Sequence, residues 1–395
     1  SSHIAILIRP KAVRKICVVI TARPSYSRVR SLLIAIRAHH DLELQIVVAA
    51  SALLSRYGST IATIEGEGFQ VDRSVYTIME GGNLLTSAKS TGIGLSELAT
   101  AFNDLKPDVV VTVADRYETI ATAIAASYQN IPLAHIQGGE VTGSIDEKVR
   151  HAVTKLADIH FVATKNAAER VIKLGERSET VFLTGCPSID VVHNALADSS
   201  YELDIFKQYS GVGPIFDLTS GYIIAIQHPV TTQYVDARSH IEQTLKAIVE
   251  FGRPTLWFWP NVDAGADGTS AGIRSFREIH APTNIHFFKS MSPEDFIRTL
   301  DKCDCIVGNS SVGFRECAYM GVPAVNIGIR QAGRDRGNNV VDSDYDSDSI
   351  VAAVSVQTSR GRLNSNDVYG DVGAGARIAN LLATVKLSVE KRLTY

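Results

Sequence analysis

Residues 108–113 read DVVVTV, an apolar run rich in β-branched residues that starts just after Lys106-Pro107. A run with no polar face predicts a strand buried on both sides, as in a parallel sheet covered by helices. Residues 87–105, just upstream, carry a helical pattern that stops before the Lys-Pro pair, as expected of a residue preceding proline. Working outward, residues 15–20 (KICVVI), 44–49 and 131–136 (IPLAHI) repeat the strand signal. The polar segment TARPSYS at 21–27 reads as a loop, followed by a helical stripe at Val29, Leu32, Leu33 and Ile36.

The alternation resumes after a looser region, 198–221, broken by Ser-Ser, Gly-Val-Gly-Pro and Ser-Gly. Residues 222–227 (YIIAIQ), 255–259, 284–288, 303–307 and 322–327 form a second strand series, with helical stretches such as 293–301 and 312–320 between them. A chain of 395 residues exceeds one compact core. The fold class expected is therefore α/β, with two Rossmann-like αβα domains and parallel sheets. The boundaries expected are an N-terminal extension at 1–14, a first domain at 15–187 and a second at 188–372. The last segment, 373–395, is expected to pack back on the first domain as a helix covering about 375–391.

Composition narrows the function classes. Hydrophobic residues make up 45%, charged residues 21%, and the formal net charge is −3. The basic residues are scattered, which argues against nucleic acid as a partner. No apolar stretch approaches the length of a membrane span. The opening SSHIAILIRPKAVR has too short an apolar stretch for a targeting signal and reads as an extension, so the cytoplasm is the expected compartment. Cys17, Cys186, Cys303, Cys305 and Cys317 form no CxxC pair and read as buried reduced thiols. The histidines are isolated, so no metal is expected.

In parallel sheets, ligands sit beyond the carboxyl ends of the strands. Six loops there hold unusual residues: 21–27 (TARPSYS, with Arg23 and Ser27), Asp115-Arg116, Gly138-Gly139-Glu140, His228-Pro229, 260–263 (PNVD, with Asn261) and 308–311 (GNSS). In the last of these, Ser310 and Ser311 lead through Gly313 into a helical run containing Glu316. Free N–H groups at a helix start favour phosphate oxygens, and a carboxylate one turn on suits ribose hydroxyls. A plain helix cap with a solvated glutamate is the competing reading. Arg23, Arg330 and His228 offer donors suited to phosphate. Asp115, Glu140 and Asp146 form an acidic set whose pKa values, in a cleft, are expected to be raised and suited to proton transfer. His151, beside Arg150, is placed to orient one of them, whereas Asp146-Glu147 also fit a simple helix N-terminus. Neither G-x-G-x-x-G after the first strand nor a P-loop occurs, which weakens dehydrogenase and kinase readings.

Together TARPSYS, ADRYETIATAIAA, IPLAHIQGGEVTGSIDEKVRHAVTKLADIHF, GCPSIDVV, QHPVT, PNVDAG and VGNSSVGFRE with GVPAVNIGIRQAGR span about residues 15–345. In this order they resemble the hydrolysing UDP-N-acetylglucosamine 2-epimerases. The resemblance implies a glycosyltransferase-B fold with the site in the interdomain cleft. It implies loss of UDP through a 2-acetamidoglucal intermediate, then hydration to free N-acetylmannosamine. By motif position Asp115, Glu140 and Asp146 match the acid/base carboxylates, without an assignment of each proton. Arg23, His228, Ser310, Ser311 and Arg330 match phosphate or nucleotide contacts, as Ser27, Arg116, His151 and Gly313 match positions lining the substrate. Glu316 matches the ribose ligand, Asn261 a residue of the diphosphate cleft, and the backbone near Phe288 the base-binding region. No cofactor is implied, and homodimers are common among similar enzymes.

Three departures, Ser25 where a carboxylate is usual, Gln137 where histidine is frequent (both near the sugar site the resemblance implies) and Ala114 before Asp-Arg, leave the amino sugar and the base open, with a 2,4-diacetamido-trideoxy sugar or another base as alternatives. A non-hydrolysing epimerase, a glycosyltransferase of the same fold and a catalytically silent nucleotide-sugar sensor are the alternatives. Domain closure is expected, with a hinge near 186–188 and at the C-terminal helix.

Overall fold

Strands are numbered here in chain order, and the computed structural model that carries them describes residues 12–53, 60–77, 83–113, 116, 118–142, 145–260 and 266–395. The first sheet comprises β1 (Arg14–Ile20), β2 (Leu42–Ala49), β3 (Arg73–Val75), β4 (Val109–Val113), β5 (Leu133–Ile136), β6 (Ile159–Val162) and β7 (Val181–Leu183). Their order is β3-β2-β1-β4-β5-β6-β7, all parallel. The second comprises β8 (Gly211–Val212), β9 (Ile223–Ile226), β10 (Thr255–Phe258), β11 (Ile285–Phe288), β12 (Cys305–Gly308), β13 (Ala324–Ile327) and β14 (Val340–Ser343). Its order is β14-β13-β12-β9-β10-β11-β8, parallel except for β8 on the edge of β11. Two Rossmann-like units result, as the alternation of strand and helix signals predicts.

The period of two along each central strand shows why these runs are apolar throughout. In β1, Ile16, Val18 and Ile20 enter the core on one face and Cys17 and Val19 that on the other. In β4, Val109, Val111 and Val113 face one core and Val110 the other. The second sheet repeats this with Ile224 and Ile226 against Ile223 and Ala225. All five cysteines are free and buried, in line with the sequence reading.

The helix Ala374–Thr384 returns to the first unit, where Ile378, Ala379, Leu382 and Ala383 join the core with Leu32 and Ile36. The Asp190 carboxylate accepts from the N–H groups of Gly373 (2.5 Å) and Gly375 (2.9 Å), filling donors that a helix start leaves unpaired. The two chain crossings lie side by side: the Cys186 N–H donates to the Tyr369 carbonyl at 2.8 Å.

Several local expectations change. The segment 21–27 is not all loop, because the helix Arg23–Ala38 starts at Arg23 with Pro24 in its first turn, where the missing N–H costs nothing. Residue 14 belongs to β1 rather than to an extension, and Arg14 donates to the carbonyls of Leu382 and Val385. The stretch 312–320 is split into a 3-10 turn, Ser311–Gly313, and a short helix, Glu316–Met320. The final helix stops at Thr384, well before residue 391. Among the described residues, no helix is long and apolar enough to cross a membrane.

Candidate functional site

In each sheet the chain winds away in both directions from its first central strand, and the loops there diverge to leave a crevice. In the second sheet this point lies between β9 and β12. Gly308, the last residue of β12, has φ +137°, and a Cβ there would lie 1.7 Å from the Ile226 carbonyl oxygen. Only glycine allows the two strands to close so tightly. Beyond it, Asn309 ties the loops together: its Oδ1 accepts from the His228 N–H (2.7 Å) and its Nδ2 donates to the His228 carbonyl (2.8 Å). Ser310 caps the next turn, accepting from the Val312 N–H at 3.3 Å, and Ser311 follows, buried. Gly313 is buried too, and a Cβ there would stand 3.2 Å from the Ala324 Cβ. Glu316 opens the short helix after it, 8% exposed, with Oε2 buried and lacking a hydrogen-bond partner.

In the first unit that point lies between β1 and β4, and the loop after β5, the next strand along, carries Glu140. Gln137 and Gly139 both have positive φ (67° and 75°), and a Cβ at Gly139 would lie 2.2 Å from the Ala167 carbonyl oxygen. This tight turn delivers Glu140 into the interior, 1% exposed. Arg150, from the helix Ile145–Leu156, donates to Glu140 Oε2 (3.2 Å) and to the Gln137 carbonyl (3.2 Å).

The two ends meet across the domain boundary. Arg334, from the loop between β13 and β14, donates to Glu140 Oε2 at 2.9 Å, and Arg315 Nε stands 4.0 Å from the same oxygen. From the first helix, Arg28 donates to Ser311 Oγ at 3.3 Å, Arg23 to the Met291 carbonyl at 2.8 Å, and Arg30 pairs with Glu294. Burial opposes the Glu140 charge, but Arg334, Arg315, Arg150 and Arg28 together outweigh it and hold the carboxyl below the ordinary glutamate value. The expectation of raised carboxylate pKa values is thus reversed at Glu140: guanidinium groups, rather than apolar walls, surround it.

The sequence-predicted residues fall into three groups. Glu140, Ser310, Ser311, Gly313, Glu316, His228 and Arg330 are gathered by the loops just described, with Arg330 Nη1 donating to the Asn309 carbonyl at 3.0 Å. Arg23 and half-buried Ser27 lie on the first turns of the opening helix, and Arg116 is buried with Nε on Glu118 at 2.8 Å. Asp115, Asn261 and the side chain of Asp146 lie outside the described residues.

Three further placements bear on the sequence reading. His151 pairs with Glu147 at 2.7 Å, one helical turn away, while Arg150 serves Glu140. Glu147 also accepts from the Thr142 N–H at 2.5 Å, the helix-start role weighed above. The Phe288 side chain is core, packed among Phe206, Phe258 and His286. Gln137 is fully buried, its amide donating to Cys186 Sγ at 2.8 Å.

Sequence reasoning missed Arg28, Arg315 and Arg334, and took Asn309 only as part of the 308–311 loop. Arg28 did leave a trace: it shares the helical stripe of Ser25, Val29 and Leu32, where a charge is out of place unless it has a task.

A model of the UDP-N-acetylglucosamine 2-epimerase family matches residues 34–383. The UDP-N,N'-diacetylbacillosamine 2-epimerase (hydrolyzing) of Legionella pneumophila is 31% identical over 375 residues, covering 95% of this chain and 97% of that protein. A GDP/UDP-N,N'-diacetylbacillosamine 2-epimerase (hydrolyzing) from Campylobacter jejuni is 29% identical, covering 84% of each chain. The crystal structure of UDP-GlcNAc 2-epimerase from Neisseria meningitidis bound to UDP-GlcNAc superposes with a TM-score of 0.76, at 17% identity, over 93% of this chain and 99% of that one. On the match across nearly its whole length and the shared two-sheet fold, this chain belongs to the UDP-N-acetylglucosamine 2-epimerase family.

Proposed function

We propose that this protein is a hydrolysing 2-epimerase of UDP-linked N-acetyl amino sugars. Arg28 carries the reading: one guanidinium reaches Ser311 of the second unit's loop and acts on the buried Glu140 charge. A nucleotide gripped by that loop would therefore hold its sugar toward the carboxylate side. Ser310 and Ser311, with His228 and Arg330 beside them, suit the diphosphate, and the orphaned Glu316 oxygen suits ribose hydroxyl donors.

In this reading a base takes the C2 proton while the C1–O bond to UDP breaks, forming the C1=C2 double bond. Water then adds its hydroxyl at C1 and a proton at C2 on the opposite face. Glu140, held as an ion, belongs to the proton-accepting side, leaving donation to Asp115 or Asp146. The names of the Legionella and Campylobacter relatives support the hydrolysing branch and the diacetamido sugar among the candidates.

The test is incubation with UDP-N-acetylglucosamine and with UDP-N,N'-diacetylbacillosamine, without acceptor, followed by NMR of the products. Free 2-epimeric sugar plus UDP is expected from one of them. A UDP-linked epimer would instead mark a non-hydrolysing enzyme, and two intact substrates would exclude the proposal for both sugars. For the nucleotide side, Glu316→Ala is expected to weaken UDP binding by about tenfold or more, since a charged hydrogen bond contributes about 1.5–3 kcal/mol. Calorimetry checks it, and an unchanged UDP affinity would remove Glu316 from the ribose.

A further inference from the structure

We propose that Arg334 and Asp335 are positioning residues that tie the nucleotide loop of the second unit to the Glu140 carboxylate of the first. The proposal rests on the reading just given, in which residues 308–316 hold the nucleotide and Glu140 faces the sugar. The segment 330–335 touches both sides. At its start, Arg330 and Gln331 both donate to the Asn309 carbonyl at 3.0 Å, and Asn309 in turn clamps His228. A tight turn follows, with the Arg334 N–H on the Gln331 carbonyl at 3.1 Å. At its end, Arg334 holds Glu140 Oε2 at 2.9 Å.

Asp335 secures the same loop from behind. Its carboxylate accepts from Thr164 Oγ1 (2.6 Å) and Asn166 Nδ2 (2.9 Å), and lies 3.5 Å from Arg170. Arg170 donates to the Gly139 carbonyl at 3.2 Å, one residue before Glu140. The Asp335 carbonyl accepts from the Tyr369 hydroxyl at 2.6 Å, anchoring the segment to the second chain crossing. Of two adjacent residues in one short turn, Arg334 thus holds the Glu140 side chain directly and Asp335 pairs with the Arg170 that holds the backbone before it, while the other end of the turn grips the nucleotide loop. An interdomain salt bridge serving stability alone has no need of that connection. A shift of the nucleotide loop is carried through Asn309 and the turn to the carboxylate, and small displacements at a reacting group are costly.

The experiment compares wild type, Arg334→Met, Arg334→Lys and Asp335→Asn by hydrogen exchange with and without UDP, and by turnover of the accepted substrate. In wild type, UDP is expected to slow exchange in both 308–316 and 137–142. In Arg334→Met the response of 308–316 should persist while that of 137–142 is lost. The kcat should fall about 10²-fold, with UDP affinity within about threefold of wild type. The acidic limb of the pH profile should move to higher pH in this variant, because Glu140 loses a cation that favours its ionised form. Arg334→Lys should restore the pH limb more than kcat, since it keeps the charge but not the paired donors. Equal responses of 137–142 in wild type and Arg334→Met, or a kcat loss with an unmoved pH limb, would reduce Arg334 to a structural contact. If Arg334→Met fails to fold, Arg334→Lys and Asp335→Asn carry the same comparison. No response of 308–316 to UDP in wild type would instead overturn the nucleotide reading, and this coupling with it.

Discussion

Glu140→Gln is expected to lose turnover by about 10²–10⁴-fold, the range for a general acid–base group, and to destabilise the protein as well. The second effect comes from burial. Glu140 is 1% exposed and is the carboxylate on which Arg150, Arg315 and Arg334 converge. Removing one partner of a buried ion pair leaves charge uncompensated, at about 3–5 kcal/mol. Read from sequence alone, the same substitution would leave folding intact; the arginine cluster is what changes that expectation. Combining it with Arg334→Met should recover part of the thermal stability, because one stranded cation is removed, and none of the turnover.

The pH dependence follows from the same group. The folded-state pKa of Glu140 is depressed, so its stabilising contribution is present above the ordinary glutamate range near about 4.3 and fades as pH falls through the folded value. The stability gap between wild type and Glu140→Gln should therefore be full at neutral pH and close in acid. Thermal melts across pH measure it. A gap that is absent at pH 7, or that widens in acid, would contradict the ionised, arginine-held carboxylate.

Gly308→Ala is the second large effect. A Cβ at this position would fall 1.7 Å from the Ile226 carbonyl oxygen, 2.5 Å from its carbon and 3.3 Å from the Gln227 nitrogen. All three are backbone atoms of the neighbouring strand, which cannot swing aside as a side chain can. The residue also sits at φ +137°, outside the regions open to alanine. The cost should exceed the about 1–3 kcal/mol of a strained backbone alone. Separation of the β9 and β12 loops should weaken UDP binding by about 100-fold or more, which corresponds to about 2.7 kcal/mol. Gly66→Ala serves as control, since a Cβ there meets nothing within 4 Å. A Gly308→Ala protein that melts and binds UDP like the control would refute the tight approach of these strands.

How far the sequence reaches can be judged from particular residues. The runs at 108–113 and 15–20 announced buried parallel strands because a strand covered on both faces has no polar positions to dilute the signal. Short strands such as β3 (Arg73–Val75) and β7 (Val181–Leu183) went unseen, since three residues carry no measurable period. Among candidate site residues, Glu140, Ser310, Ser311, His228 and Arg330 are legible because each follows a strand end, where the fold class alone predicts a ligand. Arg315 and Arg334 were not: each reads as an ordinary charge in a polar stretch, and only the meeting of two domains buries it.

The sequence by itself determined the two-sheet architecture, the strand-end loops proposed to bear the chemistry, and the family. Those depend on local periodicity and on motifs contiguous in the chain. The tertiary structure decided the ionisation of Glu140, the pairing of His151 with Glu147 and the bridge from Asn309 to Arg334. Those depend on distances between residues as far apart as Glu140 and Arg334, and the charge state of a buried group is set by whichever side chains the fold brings within a few ångströms of it.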